Sequence, residues 1–95
     1  MRVEIPREVL VSLRHLNPLV KKALRLALRE LPVQVESGRG PLAIKELVTP
    51  HIQRIYHRVQ VGTYRIVYRT EGDTVIIERI FPRRDGYDWM GSLEL

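Results

Sequence analysis

Arginines and a tyrosine cluster towards the carboxyl end of the sequence, where they could bind phosphate. In chain order they are Arg65, Arg69, Arg83, Arg84 and Tyr87. A guanidinium is always charged and offers a planar fork of donors that matches a phosphate group. A tyrosine can stack on a base, which contributes roughly 1–3 kcal/mol per base where it happens. These residue types therefore predict a nucleic-acid site with a phenol beside it.

The histidines do not supply the chemistry of an ordinary ribonuclease. A ribonuclease needs a general base and a general acid near the scissile phosphate, and the patterns around His15, His51 and His57 provide neither. No pair of histidines has metal-ligand spacing, and the sequence contains no cysteine. We therefore predict no metal and no cofactor. Arginine would stabilise the phosphorane charge and tyrosine would orient or relay a proton. Such a site should be slow unless a partner positions the RNA.

Two amphipathic helices are predicted in the first third of the chain. Apolar residues at helical spacing indicate a first helix over about residues 6–16, with Pro6 in its first turn. Asn17-Pro18 caps and opens a second helix, which Leu31-Pro32 should end. The apolar face predicted for this second helix comprises Leu19, Val20, Ala23, Leu24, Ala27, Leu28 and Leu31. Residues 33–50 should then form a connector that docks on the core through Leu42, Ile44 or Leu47.

Strands dominate the remainder of the chain. A short strand is predicted at residues 3–5, and further strands at 52–61, 64–70 and 74–81. The links between the last three are short, which implies antiparallel pairing. The predicted fold is α+β, in the order β-α-α-β-β-β, with an antiparallel twisted sheet and the helical hairpin on one face. The opposite face should be open. On it we place Arg54, Tyr56, Arg58, Gln60, Arg65, Val67 and Arg69.

Composition restricts the class of protein. Ninety-five residues, 44% of them hydrophobic, are enough for one domain over 1–95 with one core. A net charge of +5 and a pI near 10.1 favour an anionic partner. No apolar run is long enough to span a bilayer, and the first residues do not form a signal peptide. We therefore expect a soluble, cytoplasmic protein that has no membrane partner.

The hairpin and the residues after it resemble the RelE/ParE superfamily of bacterial and archaeal toxins. The resemblance is carried by Gly62-Thr63-Tyr64-Arg65, an acidic-Gly turn, an apolar strand, and Arg83 followed four residues later by Tyr87. Lys45-Glu46-Leu47 before the strands also agrees. The resemblance covers essentially the whole chain. It implies a toxin of a type II toxin–antitoxin system, with an antitoxin protein, the ribosome and mRNA as partners.

RelE-type members are ribosome-dependent mRNA endonucleases, and the resemblance implies roles for individual residues. They promote attack of a 2′-hydroxyl on the adjacent phosphate. Matched residue by residue, Arg65 would hold the scissile phosphate, Arg83 would stabilise transition-state charge, and Tyr87 would stack on or protonate near the reacting nucleotide. The substrate-binding set would be Arg54, Arg58, Gln60 and Arg84. Many relatives have a basic residue where this chain has Gln60, so the positive patch should be thinner.

Two alternatives remain open from the sequence. A ParE-type protein shares the fold but poisons DNA gyrase by binding it, and it has no nuclease site. A catalytically degenerate, RNA-binding homologue of the toxin is the other. The combination of Arg65, Arg83 and Tyr87 favours the endonuclease, because a pure binding module does not need that trio.

Overall fold

In the computed structural model, which describes residues 1–47 and 54–83, two helices pack on one face of a five-stranded sheet. In chain order the elements are β1 (Arg2–Glu4), α1 (Arg7–Leu13), α2 (Pro18–Ser37), β2 (Ala43–Leu47), β3 (Tyr56–Val61), β4 (Tyr64–Glu71) and β5 (Thr74–Pro82). The predicted α+β class and the leading helical hairpin are confirmed. Neither helix in the described part of the chain combines the length and apolarity needed to cross a membrane.

The sheet is mixed, whereas the sequence predicted a wholly antiparallel one. Its strand order is β1-β5-β4-β3-β2, with antiparallel pairing throughout except between β1 and β5, which run parallel. Short links determine the relative direction of strands that follow one another in the chain. β1 and β5 are separated by most of the sequence, so no such link determines their direction. The Arg2 amide donates to the Asp73 carbonyl at 2.9 Å where the two strands begin. As predicted, the apolar β5 lies inside the sheet.

The first helix is shorter than predicted. It begins after Pro6, whose carbonyl accepts hydrogen bonds from the amides of Val9 (3.0 Å) and Leu10 (3.1 Å). It ends at Leu13 rather than at residue 16. Val9 is its one buried side chain, and Leu13 is partly buried against the same core.

The second helix begins as the sequence predicts. The Asn17 side-chain oxygen accepts a hydrogen bond from the Leu19 amide at 2.8 Å, and Pro18 occupies the first turn. Its buried residues are Leu24, Ala27, Leu28 and Leu31. Leu19 and Ala23, which were assigned to the same face, are exposed. The buried stripe is therefore narrower than the apolar pattern suggested.

The predicted end of α2 at Pro32 is wrong. Proline removes the hydrogen bond to the carbonyl of Leu28, four residues earlier, but the helix continues for another turn. Two features stabilise that turn. Gly38 adopts a left-handed conformation (φ 75°) and its amide donates to the Gln34 carbonyl at 2.8 Å. The Gln34 side chain also pairs with the backbone of Leu42, donating to its carbonyl and accepting from its amide, each at 2.8 Å.

The predicted connector contains a strand. Residues 43–47 form β2, which pairs antiparallel with β3 at the edge of the sheet. Leu42 and Ile44 pack against the main core and Leu47 against a second cluster, so the predicted docking residues are correct. The segment alternates between the two faces of the sheet, and this period of two is the signature of a strand.

The main core lies between the helices and the sheet. Its buried members are Val9, Leu24, Ala27, Leu28, Leu31, Val59, Ile66, Tyr68, Val75 and Ile77. Tyr64, Ile66 and Tyr68 share this side of β4, as the alternation predicts. The opposite face is not simply open, because Tyr56, Val67 and Phe81 form a small buried cluster there. The arginines of that face therefore share it with a buried apolar cluster.

Candidate nucleic-acid interface

The register of three strands brings polar side chains together on the sheet face opposite the helices. Gln60 on β3 pairs with Arg65 on β4, and Lys45 on β2 pairs with Arg58 on β3. Directly paired residues project from the same face with Cβ atoms about 4.5–5.5 Å apart. These four side chains therefore form one block beside the β3–β4 turn.

This block lines a concavity of about 300 Å³. The described residues that line it are Ala43, Lys45, Arg58, Gln60, Gly62, Arg65 and Arg83. Four of these seven residues are cations and none is a carboxylate. Like charges that converge in this way repel one another, and an anion bound between them relieves the repulsion. The geometry therefore favours a polyanionic ligand such as a phosphodiester backbone.

A neutral amide orients Arg65 in this concavity. The Nε–H of Arg65 donates to Oε1 of Gln60 at 3.1 Å. The Nε2 of Gln60 in turn donates to the carbonyls of Gly62 (2.6 Å) and Tyr64 (3.3 Å) in the adjoining turn. An amide can orient a guanidinium without cancelling its charge as a carboxylate would.

The backbone of Arg83 is attached to the same turn. Its amide donates to the Thr63 carbonyl at 2.8 Å, just after β5 ends. Its side chain is exposed and joins the lining of the concavity. Because β5 runs antiparallel to β4, its end lies beside the start of β4, and Arg83 therefore lines the same concavity as Arg65.

Arg69 lies on the same strand as Arg65 but serves a different purpose. It donates to Glu71 and Glu78, each at 2.6 Å. These hydrogen bonds, to Glu71 first and then to Glu78, raise the pKa of Arg69 above its ordinary value. Arg69 is thus committed to an ion-pair network within the sheet, whereas Arg65 faces the concavity.

The structure does not bring Arg54 to the concavity. It precedes β3 and is not among the residues that line the concavity, whereas Gln60 lies near the other end of that strand. Its charge makes a small contribution to the lowered pKa of Glu71, which is due chiefly to the hydrogen bond from Arg69. The predicted residues Arg84 and Tyr87 lie outside the described residues, and their roles stay predictions.

Lys45 is the lining cation that sequence reasoning did not assign to the site. In the sequence it belongs to a segment expected to be a connector, and to the Lys45-Glu46-Leu47 run of the family resemblance, but to no site. Read as a strand, residues 42–47 alternate, which places Ala43, Lys45 and Leu47 on the face of Arg58 and Gln60. The alternation of residues 42–47 between two faces could have indicated a strand, but the pairing of that strand with β3 could not be predicted from spacing alone.

His57 lies on the other side of the sheet and takes no part in this site. Its ring stacks on Tyr68, with centroids 5.2 Å apart, and its buried Nδ1 has no hydrogen-bond partner among the described residues. Burial raises the pKa of Tyr68 to about 12, so the phenol stays neutral. Across residues 1–47 and 54–83, no three His, Asp or Glu side chains are grouped so that they could hold a metal ion.

Comparison with known proteins identifies the family. The family model described as the ParE toxin of the type II toxin–antitoxin system parDE matches residues 7–87, which is most of the chain. The chain belongs to this family. It is therefore a toxin of a type II toxin–antitoxin system, in the RelE/ParE superfamily, as its hairpin and arginines predicted.

Relatives of this toxin are found in archaea. Toxin RelE3 of Methanocaldococcus jannaschii is 29% identical over 89 residues, which are 94% of this chain and 98% of that protein. The RelB-RelE antitoxin-toxin complex from Methanococcus jannaschii contains a similar chain, with 26% identity and a TM-score of 0.65; the match covers 90% of this chain and 95% of that one. The RelE-RelB complex from Pyrococcus horikoshii OT3 shares the fold, at 22% identity and a TM-score of 0.66, over 86% and 93% of the two chains.

Proposed function

We propose that this toxin is a ribosome-dependent mRNA endonuclease. The observation that carries the proposal is the concavity in which Lys45, Arg58, Arg65 and Arg83 converge without a carboxylate among the described lining residues. The RelE name of a relative that matches nearly the full length of the chain supports the same activity. The ligand would be the backbone of a message held in the ribosomal A site.

The reaction would be an internal transfer of a phosphodiester bond. The 2′-oxygen attacks the adjacent phosphorus and the bond to the 5′-oxygen breaks, leaving a 2′,3′-cyclic phosphate and a 5′-hydroxyl. The proton lost by the 2′-hydroxyl is balanced by the one that the 5′-oxygen gains. Negative charge accumulates on the phosphoryl oxygens, where Arg65 and Arg83 would stabilise it. Tyr87 is proposed to stack on or protonate near the reacting nucleotide.

The proposed dependence on the ribosome rests on the chemical groups that line this site. The described lining supplies cations and an amide, which bind and polarise a phosphate, but no histidine or carboxylate that could take the proton at neutral pH. Charge stabilisation alone should give slow cleavage of free RNA. A partner that holds the 2′-oxygen in line with the leaving oxygen would supply the missing orientation.

The proposal is tested by induction of variant toxins in cells. We expect Arg65→Ala and Arg83→Ala each to relieve growth arrest and to abolish cuts detected by primer extension on a translated message. Arg39→Ala is the matched control, because Arg39 is an exposed arginine that does not line the concavity. Growth arrest and message cleavage that persist in both site variants would contradict the proposal.

A gyrase-directed toxin is the second candidate, because the description of the matching family model names ParE. This candidate predicts intact messages and a DNA-damage response after induction. Purified toxin would then inhibit supercoiling by DNA gyrase, and Arg65→Ala would retain that inhibition. Cleavage that appears only in translated frames would instead support the endonuclease.

We also propose that a cognate antitoxin occupies a groove formed by β1, α1 and α2. The groove has a volume of about 600 Å³. Its apolar lining residues are Val3, Ile5, Leu10, Leu13, Leu28 and Pro32, and its basic ones are Arg14, Lys21, Arg25 and Arg29. An apolar floor with a basic rim is complementary to an acidic amphipathic segment. The solved RelB-RelE complex supports such a partner for a similar chain.

Two adjacent lysines provide a matched test of that groove. Lys21 lines it, whereas Lys22 is exposed and does not. Both have the same charge and lie next to each other near the start of α2. We expect Lys21→Glu to weaken binding of the co-expressed antitoxin by about tenfold or more, and Lys22→Glu to weaken it much less. Equal losses would show that only net charge matters and that the groove is not the binding site.

A further inference from the structure

We infer that Gln60 is a positioning residue that sets the orientation of Arg65 for the reaction. This inference rests on the proposed endonuclease function. By sequence, a glutamine at this place weakens a basic patch. In the structure it accepts a hydrogen bond from Arg65 and is itself hydrogen-bonded to the hairpin. Gln60 would thus contribute alignment rather than charge.

The hydrogen bonds of Gln60 account for this role. Its Nε2 donates to the carbonyls of Gly62, in the β3–β4 turn, and of Tyr64, the first residue of β4, which fixes the plane of the amide. The fixed Oε1 then accepts from the Nε–H of Arg65, 3.1 Å away on the paired position of β4. A guanidinium is planar, so a bond at Nε also sets the plane in which its terminal nitrogens lie.

Alignment of Arg65 matters more in the transition state than in the ground state. A mobile cation can still attract a polyanion, but hydrogen bonds to the phosphoryl oxygens depend on direction and must be correct as charge develops. Loss of the Gln60 contact should therefore lower kcat more than it raises KM. Loss of a residue that only adds to electrostatic attraction would instead raise KM more than it lowers kcat.

A pair of lysine substitutions separates alignment from charge. Gln60→Lys adds a cation but removes the oxygen that accepts from the Arg65 Nε–H. Ala43→Lys adds the same cation at the residue that pairs with Gln60 across β2 and β3, and it changes neither Gln60 nor Arg65. We expect Ala43→Lys to tighten binding of programmed ribosomes. We expect Gln60→Lys to lower kcat by roughly tenfold or more, with a thermal midpoint that shows a folded protein.

Cleavage by Gln60→Lys at or above the level of Ala43→Lys would overturn the inference. Two further results bear on it. With Arg65→Ala toxin in excess over programmed ribosomes, so that its residual rate can be measured, adding Gln60→Ala should cause no further loss of kcat, because the two residues act as a unit; full additivity would contradict this. If Arg65→Ala itself cleaves normally, the proposed endonuclease function fails, which is a different outcome from failure of the Gln60 role.

A readout independent of activity is the side-chain NMR signal of the Arg65 Nε–H group, assigned by its loss in Arg65→Ala. The hydrogen bond to Gln60 should slow exchange of this proton with water in the unmodified toxin. We expect faster exchange in Gln60→Lys and no change in Ala43→Lys. An unchanged signal in Gln60→Lys would overturn the inference even if cleavage fell.

Discussion

Replacing Pro32 by alanine should stabilise the toxin, because this proline lies well inside a helix that continues past it. A proline in a helix interior costs about 3 kcal/mol relative to alanine, since the amide that would bond to Leu28 is missing. Alanine restores that bond while the cap at Gly38 and the Gln34–Leu42 clamp remain. The more flexible unfolded chain offsets about 0.4–1 kcal/mol of the gain.

After a further allowance for lost packing of the half-buried ring, the free energy of unfolding should rise by about 1–2 kcal/mol. In a domain of this size the thermal midpoint should increase by roughly 5–15 °C. Calorimetry of the purified toxin measures both quantities. Pro18→Ala is the matched control, because a proline in the first turn forfeits no helical bond. A gain from Pro18→Ala equal to that from Pro32→Ala, or no gain from Pro32→Ala, would refute the reasoning.

Three other predictions concern the site, the core and the ion-pair network. Lys45→Ala should weaken RNA binding several-fold in a filter-binding titration. It should also reduce the slope of the logarithm of the binding constant against the logarithm of salt concentration by about the amount expected for one phosphate contact. Lys22→Ala should change neither quantity. Leu24→Ala, at a fully buried position, should lower the free energy of unfolding in urea by about 2–5 kcal/mol. The hydrogen bond from Arg69 lowers the pKa of Glu71 below its ordinary value, so the stabilising effect of this pair is present at neutral pH and is lost as pH falls through the folded-state pKa of Glu71. Glu71→Gln should therefore be less stable than the unmodified toxin at neutral pH and equal to it in strong acid.

Local patterns in the sequence were sufficient to predict the helical hairpin and the β3–β4–β5 meander. Alternation along residues 64–69 placed Ile66 and Tyr68 in the core and Arg65 on the opposite face, and the structure agrees. The Asn17–Pro18 cap was also readable, because an N-cap acts within three residues. These features depend on neighbours in the chain, which is why periodicity and capping rules identify them.

The features that the sequence did not predict depend on distant residues. α2 continues past Pro32 because Gln34 and Leu42 bind one another across the following turn. That contact also leads into β2 and so places Lys45 beside Arg58. Spacing within either segment gives no information on such a pairing.

Gln60 was correctly placed on the arginine face but read as a missing charge. Its hydrogen bond to Arg65 depends on the register between two strands and on the orientation of an amide. Residue type alone does not determine either one.

The most direct test of the proposed activity is cleavage by purified toxin of a defined message on programmed ribosomes. We predict one cut in the A-site codon that leaves a 2′,3′-cyclic phosphate, and no cut when a 2′-deoxynucleotide stands immediately before the scissile phosphate. Free RNA should be cleaved far more slowly. Cleavage of the 2′-deoxy message, or equal rates on free and ribosome-bound RNA, would contradict the account.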